Sequence, residues 1–258
     1  MAGQQPFEVI LNIDQDHYSY SLYADKEFAK NYEMDRFGKG FGKFLKQYEV
    51  ELYTRLLPVF TRLLDVGAGA GKLAEKFAKR GQVVACDASF EMLRNARGMA
   101  RENHVHYDVV VCDAHHLCFK DGAFDAVVSS RVLMHVLDWR KMVSELCRVS
   151  SAFVCLDFPP YWSFSIIERF VRKLSHIFWR KVQSYRGFIP HRVVSEFESH
   201  SCRPAAKLKS FFLPISFYRI LNSPYITLKM ERFWGKVGLT GLFGNPVTYK
   251  FERISNEP

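Results

Sequence analysis

The sequence predicts an α/β protein built on a doubly wound, mainly parallel sheet. Short apolar runs alternate with helical patterns between residues 62 and 157, as in successive strand–helix–strand units. One of these runs, Leu63–Val66, opens into glycines at positions 67, 69 and 71. Acidic residues follow three of the predicted strands. Because ligands bind at the carboxyl ends of parallel strands, we expect the functional site at this edge of the sheet.

The first predicted element is a helical N-terminal cap over residues 1–61. Phe28, Tyr32 and later Leu45 recur at helical intervals, and Pro58 interrupts the pattern just before the first strand. Two interpretations are open: a segment that only packs on the sheet, or a flap over the ligand. The pattern alone favours the first.

Residues 62–157 form the predicted core of the sheet. The strands are predicted at Leu63–Val66, Val83–Cys86, Val105–Cys112, Phe124–Ser129 and Ala152–Leu156, with helices at Lys72–Lys79, Phe90–Arg101 and Trp139–Arg148. Alternation at this spacing places the glycine-rich segment in the turn between the first strand and the first helix. There, glycine permits a sharp turn or close approach of a ligand to the backbone.

Residues 158–258 are predicted to complete the sheet and to add helical insertions. An amphipathic basic helix is expected around 166–178, a covering helix at 191–199, and two strands at Lys207–Phe212 and Pro246–Arg253. About thirty residues separate those two strands, and together with 158–190 they predict a helical cap above the strand ends. This segment carries a net charge of +10 and 20 of the 39 aromatic residues.

Composition narrows the class of protein. At 258 residues and 48% hydrophobic content, the chain can bury a large core. There is no run of 18 apolar residues and no basic-then-apolar leader pattern, so we expect a cytoplasmic protein. The six cysteines include no Cys-x-x-Cys pair and fall mostly in apolar runs, which predicts reduced, buried thiols.

Polar residues end four consecutive predicted strands. These are Asp65, Asp87, Asp113 and the pair Ser130-Arg131. Asp87 stands 20 residues beyond Gly67, the separation at which a carboxylate can accept hydrogen bonds from a ribose diol. Each acid could instead cap the helix that follows it, but the set of four favours a nucleoside-binding site.

The segments LLDVGAGAGKL, VVACDASFEMLRNAR and VVVCDAHHLCFKDGAFDAVVSSRVLMHV resemble the class I S-adenosylmethionine-dependent methyltransferases. The resemblance is to the small-molecule branch that includes the ubiquinone and menaquinone methyltransferases, and it covers roughly 60–157. It implies a Rossmann-like, seven-stranded sheet and S-adenosylmethionine as the cofactor. A dinucleotide oxidoreductase would more often have glycine at position 72, where this chain has lysine, and does not require Asp113.

The resemblance also implies a role for individual residues. The glycine turn would line the methionine and ribose, Asp65 would lie beneath the methionine ammonium, Asp87 would hold the ribose hydroxyls, and Asp113 with Ala114 would meet the adenine. Tyr32 and Arg36 match an N-terminal aromatic segment of the branch. The full set of predicted cofactor residues is Tyr32, Arg36, Asp65, Gly67, Ala68, Gly69, Gly71, Asp87, Ala88, Met92, Cys112, Asp113, Ala114, Ser130 and Arg131.

Catalysis by methyl transfer asks for few side chains, because an in-line displacement from a sulfonium depends mainly on alignment. His135 and His191 are the two candidate bases. For His135 the alternative is a structural role at the start of a helix. No metal is expected, since the adjacent histidines at 115 and 116 lack a third ligand at convincing spacing. The segment Asp157-Phe158-Pro159-Pro160-Tyr161 differs from the Asp-Pro-Pro-Tyr motif of amino-group methyltransferases and is interpreted as a rigid exit from a strand.

The predicted function is methyl transfer to a small, apolar or lipid-like acceptor. The aromatic residues of the C-terminal third would bury it, and basic residues near the rim would attract an acidic group. The same residues could instead dock the protein on an anionic membrane. A different nucleotide-cofactor enzyme, such as an oxidoreductase or epimerase, and a non-catalytic S-adenosylmethionine-binding subunit remain alternatives. Nucleic acid ranks below a small molecule, because no nucleic-acid module is recognisable.

Overall fold

The computed structural model describes residues 18–163 and 186–254. Seven strands form one sheet in the order β3-β2-β1-β4-β5-β7-β6. They are β1 Arg62–Val66, β2 Gln82–Asp87, β3 Asp108–Val111, β4 Phe124–Ser129, β5 Ser150–Phe158, β6 Cys202–Phe211 and β7 Asn245–Arg253. The first five strands pair in parallel, and β7 is antiparallel to both β5 and β6. The predicted seven-stranded α/β sheet is confirmed.

The α-helices of the described ranges flank this sheet and extend beyond it. They are α1 Tyr18–Ala24, α2 Lys26–Phe37, α3 Gly40–Leu56, α4 Lys72–Phe77, α5 Phe90–Glu102, α6 Trp139–Val149, α7 Pro190–Ser199, α8 Ile215–Leu221, α9 Pro224–Lys236 and α10 Leu239–Phe243. A short 3-10 helix spans Leu133–His135. The amphipathic helix predicted around 166–178 lies outside the described residues. None of the described helices is long and apolar enough to cross a membrane.

Two apolar layers hold the sheet. On one face, α6 and α7 pack on the sheet through residues such as Met142, Leu146 and Phe197, which are fully buried. On the other face, α3, α4 and α5 contribute Tyr53, Phe77 and other buried side chains. Because parallel strands are covered on both faces, their sequences are continuous apolar runs rather than alternating ones. This is why β1 and β4 could be predicted closely.

Three strand predictions were wrong in length. β5 spans Ser150–Phe158 rather than Ala152–Leu156. β3 begins at Asp108 rather than at residue 105, because the Val105 N–H donates to the Ala100 carbonyl at 2.8 Å and belongs to the exit from α5. β6 begins at Cys202 rather than at residue 207, and it pairs with β7 from Cys202 opposite Arg253 to Phe211 opposite Asn245. Its first half lacks apolar alternation and contains Pro204, features that an edge strand tolerates.

Three helices connect β6 to β7, where the sequence predicted an insertion. α8 packs on the start of α3 through the fully buried Tyr218, whose ring lies 5.7 Å from the Phe41 ring. Asn222 ends α8 in the left-handed conformation, and its Oδ1 accepts the Phe41 N–H at 3.0 Å. The inserted helices are therefore fixed to the N-terminal helices, above the carboxyl ends of the strands.

Candidate active site

A cavity of about 480 Å³ lies at the carboxyl ends of β1, β2 and β4. It brings together most of the residues predicted for cofactor binding: Tyr32, Arg36, Gly67, Ala68, Gly69, Asp87, Ala88, Met92, Cys112, Asp113, Ala114, Ser130 and Arg131. These residues come from α2, α5 and four strand-to-helix turns. The cavity therefore unites segments that are about 100 residues apart in the chain.

The glycine turn after β1 is shaped by its neighbours. Gly67 has φ of 69°, and a Cβ there would lie 2.3 Å from Cγ2 of Val132, so no side chain fits. The N–H groups of Gly67 and Ala68 both donate to the Cys86 carbonyl, at 2.8 and 3.0 Å. The Gly69 N–H donates to Oδ2 of Asp87 at 2.9 Å. The backbone donors of this turn are thus largely used within the protein.

Asp87 ends β2 and faces both the turn and the next helix. Its Oδ1 accepts the Ser89 N–H at 2.9 Å, while Oδ2 accepts from Gly69. Burial raises the pKa of Asp87, although both N–H groups favour the charged form. Each oxygen keeps lone-pair capacity, so capping and ribose binding are compatible in this geometry.

Two predicted cofactor residues do not line the cavity. Asp65 is buried beneath it, and its Oδ2 accepts the Ala74 N–H at 3.1 Å. Burial raises the pKa of Asp65 to about 7, although Lys72 and the Ala74 N–H oppose that shift. Gly71 faces inward as the left-handed residue before α4, and a Cβ there would meet the Tyr107 hydroxyl at 2.3 Å. These two positions support the turn from below rather than forming its surface.

Asp113, after β3, belongs to a hydrogen-bonded group with His115 and Tyr20. Its Oδ1 accepts from the His115 backbone N–H at 2.9 Å and lies 2.8 Å from Nδ1 of the same residue. Nε2 of His115 accepts the Asp138 N–H at 3.2 Å, so the ring proton is on Nδ1. Burial opposes ionisation, but the hydrogen bonds from His115 and Tyr20 outweigh it and lower the pKa of Asp113.

The N-terminal helices form one wall of the cavity. Tyr20 and Tyr23 of α1 and Tyr32 of α2 all line it. The Tyr20 hydroxyl lies 3.3 Å from both Asp113 oxygens, and the Tyr23 carbonyl accepts from Ser89 Oγ at 2.6 Å. These aromatic side chains lie beside the ends of β2 and β3, which favours the interpretation of this region as a flap over the ligand. Tyr20 belonged to no motif by which its place could be predicted.

The two candidate bases differ in position. His135, in the 3-10 helix after β4, lines the cavity, and its ring centroid lies 6.3 Å from that of Tyr23. His191 is exposed at the start of α7, outside the cavity, because α7 buries Val193 and Phe197 and turns this histidine outward. This position gives the prediction of His191 as a base no support.

The opposite end of the cavity is basic, and sequence reasoning missed its centre. Glu49 of α3 is buried there, with Lys72 donating to Oε2 and Arg131 Nη1 lying 3.5 Å from Oε1. Burial opposes ionisation, but Lys72, Arg131 and Arg219 together lower the pKa of Glu49. Arg219 of α8 and Arg36 of α2 complete this group. We call these five residues the basic end.

The described residues contain no group of three or more His, Cys, Asp or Glu side chains arranged to hold a metal ion. Of the two adjacent histidines at 115 and 116, His115 has both ring nitrogens engaged in hydrogen bonds within the protein. The cysteines of the described ranges are free thiols, and five of the six are buried. The acids at the strand ends are engaged with backbone N–H groups instead.

The family model and the related proteins that match this chain agree with one another. The family described as "Methyltransferase domain" matches residues 64–152. A demethylmenaquinone methyltransferase of Thermobifida fusca is 46% identical over 92 residues, covering 34% of this chain and 38% of that protein. The corresponding protein of Thermus thermophilus is 32% identical over 140 residues, covering 52% of this chain and 64% of that protein. The matches thus span less than two thirds of these relatives.

The solved structures extend the likeness to nearly the whole fold. Magnesium protoporphyrin IX methyltransferase of Synechocystis, solved with bound SAH, superposes with a TM-score of 0.61 at 16% identity. The superposition covers 89% of this chain and 98% of that one. Residues 64–152 thus match a methyltransferase domain and are similar to quinone methyltransferases, and the superposition extends the likeness of the fold to most of the chain.

Proposed function

We propose that this protein binds S-adenosylmethionine and transfers its methyl group to a small, largely apolar acceptor. The observation that carries the proposal is the pattern of donors and acceptors around the glycine turn. Asp87 presents a carboxylate at the end of β2, and the cavity beside it is lined by Met92, Tyr23 and Tyr32. A ribose diol, an adenine and the thioether of the demethylated product all fit such a surface.

A phosphate-bearing cofactor fits this turn poorly. Dinucleotide and nucleotide sites offer unused backbone N–H groups to phosphate oxygens. Here the N–H groups of Gly67, Ala68, Gly69 and Gly71 already donate within the protein. A pyrophosphate would also meet the Asp87 carboxylate at short range, which Coulomb repulsion disfavours. The oxidoreductase alternative is therefore the weaker one.

When bound, S-adenosylmethionine supplies a methyl group on a positively charged sulfur. The chain's own residues would align the two reactants and exclude water, which can supply much of the acceleration in a displacement of this type. Asp87 and Asp113 would orient the adenosine, and Tyr23 and Tyr32 would cover it. His135 is the candidate base, since it lines the cavity. We expect transfer without a metal ion, because no residue role in this proposal requires one.

The first experiment measures cofactor choice and transfer. Calorimetry should show that S-adenosylmethionine and its demethylated product bind, and that NAD does not. Labelled S-adenosylmethionine is then incubated with lipid, polar-metabolite and nucleic-acid fractions, and label should enter the lipid fraction with or without EDTA. Binding of NAD alone would contradict the proposal. Cofactor binding without transfer to any fraction would favour a non-catalytic binding subunit.

We also propose that α9 lies on an anionic membrane, where an apolar acceptor would dissolve. Ile226 and Phe233 lie on one side of the helix and are 43% and 55% exposed, and Val237, directly after its last residue, is 52% exposed. A stripe of exposed cations, Lys229, Arg232 and Lys236, runs beside them. The single acid of α9, Glu231, faces inward and accepts from the Phe212 N–H at 2.9 Å. Adjacent apolar and basic stripes are typical of helices that lie in the membrane interface.

Vesicle flotation tests this surface. The protein should float with vesicles of phosphatidylglycerol and phosphatidylcholine but not with phosphatidylcholine alone, and salt should weaken the binding. Phe233→Ser and Lys229→Glu should each release it. Phe90→Ser is the matched control, because Phe90 is 62% exposed and lies on the distant α5. Equal flotation with both vesicle types, or concentration-dependent self-association through α9, would contradict the proposal.

A further inference from the structure

A buried histidine, His115, lies beside Asp113 without lining the cavity that Asp113 lines. Nδ1 of its ring donates to Oδ1 of Asp113 at 2.8 Å. The His115 backbone N–H donates to the same oxygen at 2.9 Å, and any residue except proline could make that bond at position 115. The bond from the ring is therefore an addition that the local turn does not require. Between two buried groups such a bond is stronger than it would be in water.

The ring of His115 makes the two oxygens of Asp113 unequal. The Tyr20 hydroxyl lies 3.3 Å from both oxygens, so it favours neither of them. His115 donates twice to Oδ1, and Oδ2 therefore keeps the greater capacity to accept from a ligand. Burial opposes ionisation, but the hydrogen bonds from His115 and Tyr20 lower the pKa of Asp113. Oδ2 is thus a charged acceptor.

The ring of His115 is itself held in place from its other side. Its Nε2 accepts the Asp138 N–H at 3.2 Å. Asp138 begins α6 as its cap, since its Oδ1 accepts the N–H groups of Arg140 and Lys141 at 3.0 and 3.2 Å. α6 in turn buries Met142 fully against the sheet. A side chain that is held in this way fixes the orientation of the group it bonds.

We infer that His115 is a positioning residue that makes the cavity select adenine over hypoxanthine. Oδ2 of Asp113 would accept from the 6-amino group of adenine, whereas the 6-oxo group of hypoxanthine would bring an acceptor to an acceptor. A carboxylate free to turn could accept the N1–H of hypoxanthine instead, and one held by His115 could not. This inference rests on the proposed function, in which Asp113 meets the adenosine, and it names the residue that sets the purine specificity of that site.

Calorimetry with S-adenosylhomocysteine and S-inosylhomocysteine tests the inference. The unmodified protein should bind the adenosine form about ten- to a hundredfold more tightly, the ratio expected for one hydrogen bond to a charged group. The amide of asparagine reaches the place of Nδ1 in His115, and that of glutamine the place of Nε2. His115→Asn should therefore keep the ratio of affinities. His115→Gln should lower it about tenfold by weakening the adenosine form alone. His116→Gln, at the exposed neighbour, is the matched control and should change neither affinity.

Three results would overturn the inference. The first is equal affinity of the unmodified protein for the two ligands, which would leave the proposed function standing because both still bind. The second is an unchanged ratio in His115→Gln, whether its affinities are kept or fall together, since packing alone would act on both ligands alike. The third is a lower ratio in His115→Asn, because a donor at the place of Nδ1 would then not suffice. Binding of neither ligand by the unmodified protein would overturn the proposed function as well.

Discussion

At the scale of the residue, Asp87 is the first carboxylate to test in the proposed nucleoside site. Both of its oxygens accept backbone N–H groups at 2.9 Å, so Asp87→Asn would turn one acceptor into a donor facing a donor. We expect affinity for the demethylated cofactor to fall by roughly ten- to a hundredfold. Calorimetry would measure it, with Asp108→Asn at the exposed start of β3 as the control. An unchanged affinity would remove Asp87 from cofactor binding.

Asp65 makes a prediction about pH. Its pKa is raised from 3.8 to about 7, so the folded state holds this proton more tightly than the unfolded state. The free energy of unfolding should therefore fall as pH rises between those values, by on the order of 4 kcal/mol for this group. Urea titrations across this window should show a smaller fall for Asp65→Asn than for the unmodified protein. Parallel curves for the two proteins would contradict the shift.

At the scale of the element, α8 is expected to stabilise the whole C-terminal insertion. Tyr218→Ala would empty a fully buried site between Phe41 and Phe211, and a buried aromatic replaced by alanine typically costs 3–5 kcal/mol, so we expect a loss of about that size. Phe217→Ala is the neighbouring control, since Phe217 is 42% exposed, and should cost far less. Urea unfolding measures both. Similar losses in the two variants would show that α8 packs without a defined anchor.

The elements that the sequence predicted well are those with a strong local signal. β1, β2 and β4 are continuous apolar runs that end in polar residues. Their positions, and the edge of the sheet at which the site lies, could therefore be predicted. The contacts between α1 or α2 and the strand ends could not be predicted in the same way. Long-range contacts such as Tyr20 to Asp113 leave no periodic pattern in the sequence. Glu49 had one usable signal: it is an acid on the apolar stripe of α3, between Leu45 and Leu52. A buried acid at such a position requires a partner.

At the scale of the whole molecule, the cavity joins three segments that are distant in sequence. α1 and α2 cover it from the N-terminal side, the ends of β1 to β4 form its floor, and α8 closes the basic end. The strand ends carry the main family motifs, whereas the flanking walls carry only the match at Tyr32 and Arg36 of α2. This division explains why most of the cavity residues at the strand ends could be predicted, whereas Glu49 and Arg219 could not. A ligand that fills the cavity must couple all three segments.

Amide hydrogen exchange tests that coupling. With the demethylated cofactor at about 100 times its Kd, mass action adds about 2.7 kcal/mol to any opening that releases the ligand, which slows exchange through it by on the order of a hundredfold. We expect this protection in residues 18–37 as well as in the glycine turn, because Tyr20, Tyr23 and Tyr32 line the same cavity. The exposed first half of β6 should exchange at an unchanged rate. Protection confined to 62–131 would show that α1 and α2 do not close over the cofactor, and that the aromatic wall serves packing alone.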